Sequence, residues 1–119
     1  MDGDRTLLAL AAAAAEIPCK GWCQPGARTD GWHGMYTGSD DDGAYKRWNP
    51  LADDGDALRL ATALELDITF NAFGDSEVMV SDSKDRFDGW FTEPYGTDKA
   101  AATRRAIVRA AAAIVKDPK

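Results

Sequence analysis

Between Thr97 and Val115 the chain is rich in alanine, and Ile107, Val108, Ala111, Ile114 and Val115 form a continuous apolar stripe at helical spacing. A helix with a stripe that long must bury it, so the rest of the chain has to supply a layer to cover it. Thr97 or Asp98 is placed to cap this helix, and Asp117-Pro118 to end it. With 119 residues there is room for one domain and one core.

A second helix has the clearest start in the sequence. Asn49-Pro50 turns the chain, and Asp53 can accept hydrogen bonds from the amides of the first turn. Asp54 and Asp56 add negative charge where the helix dipole is positive. Leu58, Ala61, Leu64 and Glu65, with Leu60 alongside, carry it to about Leu66. A further helix is expected from Asp4 to Glu16, built on leucine and alanine and stopped by Ile17-Pro18, since the residue before proline is driven from helical geometry.

The intervening segments read as strands. Trp22, then Trp32, Met35 and Tyr36, then Tyr45 and Trp48 sit in a glycine-punctured stretch suited to short strands, with Ser39 to Gly43 as a hairpin loop. Ile68, Phe70 and Ala72 alternate with Asp67, Thr69 and Asn71, and Val78-Met79-Val80 returns beyond a Gly74-Asp75-Ser76 turn. Ser81 to Gly96 reads as a long polar loop, with Phe87, Trp90, Phe91 and Tyr95 as anchors or as a short extra strand. The order helix, hairpin, helix, hairpin, helix predicts an α+β fold. Its antiparallel sheet has about four strands, with helices packed on it.

Two blocks carry a resemblance. Trp48-Asn49-Pro50-Leu51-Ala52-Asp53-Asp54-Gly55-Asp56-Ala57-Leu58-Arg59-Leu60-Ala61 is one, and Ala102-Thr103-Arg104-Arg105-Ala106-Ile107-Val108-Arg109-Ala110-Ala111-Ala112 is the other. They resemble the small phage proteins that carry the phage ABA-sandwich domain, and the Leu7-Leu8-Ala9-Leu10-Ala11 helix is similar to the opening of the same proteins. Together these segments cover about a quarter of the chain. The resemblance implies a phage or prophage origin, a three-layer α-β-α sandwich and no assigned activity. Under it, Trp48, Asn49, Pro50, Asp53, Asp54 and Asp56 form a structural motif.

Charge and composition narrow the function classes. Fourteen Lys and Arg against twenty Asp and Glu give a net charge of −6, opposite to the basic footprint of a nonspecific nucleic-acid binder. The Leu7 to Ala15 run is too short to span a bilayer and follows acidic rather than basic residues, so neither a membrane span nor a signal peptide is expected. A cytoplasmic location is expected, with Cys19 and Cys23 reduced; that the cytoplasm is a bacterial host's is what the phage resemblance implies. The chain has one histidine, His33, and shows no phosphate loop, dinucleotide fingerprint or nucleophile elbow, which disfavours an enzyme.

Four groups of side chains are candidates for function. Cys19, Cys23 and His33 offer three ligands where zinc wants four, so two small thiols are the better reading and no metal or cofactor is assigned. Asp53, Asp54 and Asp56 could join Asp40, Asp41 and Asp42 around a hard cation, but helix capping and a solvated loop account for them. Arg104, Arg105 and Arg109, with Lys46 and Arg47, could hold an anion through their planar forks, against the alternative of pairing with the chain's own carboxylates. Trp22, Trp32, Tyr36 and Trp90 lie in loop-like sequence and suit stacking or a protein hot spot as well as core filling.

These features support first a non-catalytic phage accessory protein that binds a host bacterial protein, such as a defence or regulatory factor. Second is a protein that sequesters a nucleotide-like anion between Arg and Trp, for which a homo-oligomer would build a shared pocket. A carboxylate-dependent metal enzyme ranks last.

Overall fold

The computed structural model describes residues 2–15, 19–23, 34–39, 45–71, 74, 76–87 and 89–116. Three helices alternate with two sets of three strands. The order is α1 (Asp2–Ala14), β1 (Cys19–Cys23), β2 (Gly34–Ser39), β3 (Tyr45–Trp48), α2 (Asp54–Leu64), β4 (Asp67–Phe70), β5 (Glu77–Ser81), β6 (Trp90–Pro94) and α3 (Lys99–Lys116). The α+β class expected from the sequence is therefore observed.

The strand count is not the expected one. Among the described residues six strands form two antiparallel three-stranded sheets, β1-β2-β3 and β4-β5-β6, rather than about four strands in helix-flanked hairpins. In the first sheet the three strands fall on the aromatic groups at Trp22, Met35-Tyr36 and Tyr45–Trp48. In the second the third strand is β6, the short extra strand that stands as the alternative to a long polar loop over Ser81 to Gly96. The alternation there is masked because Phe91, opposite Val80, shares its face with Glu93, opposite Val78. Glu93 lies on the core side because the Arg109 guanidinium meets it there. An acidic residue in an inward position hides the period of the strand.

α3 is the organising element. It packs against α1, α2, β5 and β6, and its interface with α1 is the most extensive between any two elements. Alanine makes that approach close: Ala11 and Ala12 of α1 and Ala106, Ala110 and Ala111 of α3 are all buried. Leu8, Leu60, Val78, Val80 and Val108 supply the bulk of the core, and Trp48 at the end of the first sheet is 6% exposed. Asp98 caps α3, accepting the Ala101 N–H at 3.0 Å.

α2 begins as its sequence predicts. Asp53 has extended geometry (φ −121°, ψ 120°), and its Oδ2 accepts the Asp56 N–H at 2.8 Å. The Asp56 carboxylate in turn accepts the buried Asn49 N–H at 2.9 Å, and Asn49 Oδ1 accepts the Leu51 N–H at 3.1 Å. The Trp48–Asp56 block is thus a wired helix entry. The helix stops at Leu64, two residues short of the expected end, because Glu65 turns left-handed (φ 55°) and its N–H closes on the Thr62 carbonyl.

β4 also ends sooner than the Asp67–Ala72 expected, at Phe70, where Asn71 takes a positive φ of 57°. Tyr95 pins that corner. Its hydroxyl accepts the Asn71 N–H at 2.8 Å and donates to Asn71 Oδ1 at 2.9 Å. β4 is hydrogen-bonded to β5 along one side and, among the described residues, to no strand along the other.

Candidate functional site

The sequence of α2 contains its own clue to the site. Leu58 and Leu60 are two residues apart, so they project about 200° apart around the helix and cannot both face one core. Leu60 is the buried one, at 1%, and Leu58 is 64% exposed. Phe70, at the end of β4, is 53% exposed. Both line the same groove.

That groove lies between α2, β4 and α3 and encloses about 580 Å³, within the range of natural binding sites. Its apolar lining comes from Ala57 and Leu58 of α2, Ile68 and Phe70 of β4, and Ala100 and Ile107 of α3. Ile68 and Phe70 share a face of the strand because side chains alternate across it. The remaining lining residues, Asp54, Lys99, Thr103 and Arg104, bring polar atoms.

Two of these charges neutralise each other. Arg104 Nη1 donates to Asp54 Oδ1 at 2.6 Å, and Arg104 Nε donates to the Leu51 carbonyl at 2.8 Å, so one guanidinium ties α3 to both the start of α2 and the turn before it. Lys99 differs. Its ammonium sits 4.7 Å from the centre of the Tyr95 ring, and among the described residues no carboxylate lies within ion-pair distance of it. The Thr103 hydroxyl donates to the Lys99 carbonyl at 2.9 Å, as helical threonine commonly does. The described lining holds neither histidine nor cysteine, and its one carboxylate is already paired. Such a surface is equipped to bind, with apolar area for affinity and one cation for orientation.

The residues singled out by sequence fall elsewhere or only partly here. Of the arginines, Arg104 lines the groove. Arg109 faces the other way along α3, donating to Glu93 and to the Thr92 carbonyl, with its guanidinium carbon 5.0 Å from the Phe91 ring centre. Arg105 is half-buried on the same helix and engaged by other groups. The structure therefore does not gather the three into one fork. Trp90 is 54% exposed at the start of β6 and makes contacts of its own.

In the first sheet, backbone register places Trp22 opposite Met35 and Met35 opposite Trp48, while Tyr36 stands opposite Arg47 with Lys46 beside it. The side chains of Trp22, Tyr36, Lys46 and Arg47 lie outside the described set, as do those of Cys19 and Cys23 at the two ends of β1. Trp32, His33 and Asp40 to Asp42 lie outside the described residues altogether. Among the described residues no three His, Cys, Asp or Glu side chains gather as a metal site. No described helix is long and apolar enough to cross a membrane.

The sequence marks Leu58 as part of a helix and Ile68 and Phe70 as one face of a half-buried strand, and carries no signal at Lys99, so none of the four stands out as a site residue. The 200° separation of Leu58 from Leu60 was the available signal. Comparison with protein-family models, characterised proteins and solved structures finds no match to this chain.

Proposed function

We propose that this protein is a non-catalytic binding module, a small phage accessory protein that docks a host bacterial protein against the groove between α2, β4 and α3. The observation that carries the reading is the pair Leu58 and Phe70, two large apolar side chains more than half exposed on the walls of one apolar groove. Side chains of that size in such a place gain from being covered, at roughly 25 cal/mol per Å² removed from water. The similarity of the Trp48–Ala61 and Ala102–Ala112 blocks to phage ABA-sandwich proteins supports the phage origin and the layered α-β-α description.

The nucleotide-anion reading has less in its favour, because Arg104 and Arg109 are each occupied by a carboxylate and point to different parts of the fold. The docking reading is tested by retaining partners from a bacterial lysate on immobilised protein and on its Leu58→Asp and Phe70→Asp variants. Both side chains are exposed enough for these changes to leave folding intact, which circular dichroism checks. A partner held by the parent and lost by both variants supports the reading. A partner held equally by all three places the docking surface elsewhere.

A further inference from the structure

The groove, the β4 edge that no described strand pairs and the Lys99 ammonium are three separate features, and they meet at one corner. Tyr95 joins them: its hydroxyl holds Asn71, the residue that follows Phe70, and its ring lies under Lys99. The cation therefore marks the Phe70 end of β4. Resting on the docking reading above, we propose that the occupant is an extended, apolar C-terminal segment of the partner protein. It adds as a strand along the outer edge of β4 and sets its terminal carboxylate against Lys99.

Each feature contributes a different part of the recognition. The outer edge of β4 presents backbone N–H and C=O groups that, among the described residues, no strand satisfies, and an added strand satisfies them. β4 has four residues, which sets the contact at about four residues of peptide. Alternate side chains of that peptide enter the groove beside Ile68 and Phe70 and beneath Leu58, so the preferred sequence is apolar at every second position. A strand running parallel to β4 finishes at the Phe70 end, where its carboxylate meets the one groove cation that lacks a carboxylate among the described residues. Arg104 cannot play that part while Asp54 holds it. A second copy of this chain offers an apolar strand of its own in β4 but no terminal carboxylate there, so it leaves Lys99 unmatched.

The test uses fluorescein-labelled hexapeptides that alternate threonine and valine and end in valine, leucine or phenylalanine, each as free acid and as C-terminal amide. Binding to the full chain is followed by fluorescence polarisation up to about 1 mM, the weak end of specific contacts. The free acids should bind about tenfold tighter than their amides, the scale of one hydrogen bond to a charged group. Lys99→Ala should remove that tenfold preference, weakening the acids far more than the amides. Leu58→Asp should weaken acid and amide alike, and the Asp67–Phe70 amides should exchange more slowly with the peptide bound.

Equal binding of acid and amide, or a preference that survives Lys99→Ala, overturns the carboxylate assignment; sensitivity to Leu58→Asp would still uphold the groove. Failure of every peptide at about 1 mM overturns strand docking, and the lysate experiment then judges the groove separately. A concentration-dependent dimer that Leu58→Asp abolishes makes a second copy the occupant and overturns the proposal.

Discussion

Arg86 reaches back four residues to enclose the carboxylate of Asp82, donating through Nε at 2.8 Å and Nη2 at 3.1 Å. The backbone N–H groups of Lys84 and Arg86 complete the set at 3.0 and 2.8 Å, and Arg86 Nη2 also donates to the Leu64 carbonyl. The turn after β5 is thereby fastened to the last turn of α2. With no side-chain surface left in water, Asp82 is held at about 2 rather than the usual 3.8, the Arg86 hydrogen bonds outweighing the opposing effect of burial.

This sets an acid limb on stability. Above about pH 4 the ionised Asp82 contributes in full. As the pH falls toward about 2, the unfolded chain takes up a proton that the folded chain refuses, and the contribution drains away. A depression of this size corresponds to about 2 kcal/mol. Urea melts at stepped pH should show Asp82→Asn less stable by about that amount near neutrality, with a flatter slope between about pH 4 and 2. A variant that keeps the parent's slope would assign the acid limb to another carboxylate.

The entry to α2 carries a second prediction. Asp53 acts chiefly through its 2.8 Å bond to the Asp56 N–H, since its contact with Arg59 is 3.9 Å long and well exposed. Asp53→Ala should lower stability by about 1 kcal/mol, and Asp53→Ser should recover most of it, because a hydroxyl caps as a carboxylate does. Equal loss in both variants would instead point to the charge.

How far the sequence could be read depended on whether burial and polarity agreed. The α2 entry was legible because Asn49, Asp53 and Asp56 act within a few residues of one another, and the α3 stripe over Ile107, Val108 and Ala111 because those buried side chains are apolar, although Val115, read into the same stripe, is 40% exposed. β6 was obscured where Glu93 turns inward, since its partner Arg109 sits sixteen residues away on another element. The groove was obscured for a related reason. Leu58 and Phe70 look like core residues until the gap between α2, β4 and α3 leaves them exposed. The sequence names apolar side chains and is silent on which of them the fold runs out of neighbours to cover.

Glu93 itself can be tested. Arg109→Ala leaves the carboxylate on the core-facing side of β6 without its cation, and should lower stability by about 1–3 kcal/mol. Glu93→Gln in the same background should restore part of the loss, because an uncharged amide is cheaper to leave there. Urea unfolding of the two single variants and the double variant measures the coupling directly. Strict additivity would mean that Arg109 acts through its packing on Phe91 rather than through the ion pair.

Leu58 and Leu60 provide the sharpest contrast, because they share a helix, a residue type and nearly a position. Leu60 is 1% exposed, and Leu60→Ala opens a cavity in the core that α2 shares with α3, which should cost about 2–5 kcal/mol. Leu58 is 64% exposed and has little packing to lose, so Leu58→Ala should change stability by no more than about 0.5 kcal/mol. The same Leu58→Ala change should nevertheless weaken a groove-bound peptide, since it removes apolar wall where the peptide side chains enter. Stability by urea melt and binding by polarisation on the two variants therefore separate what α2 does for the fold from what it does for a partner. A destabilised Leu58→Ala would place that side chain in the core and remove one wall of the groove.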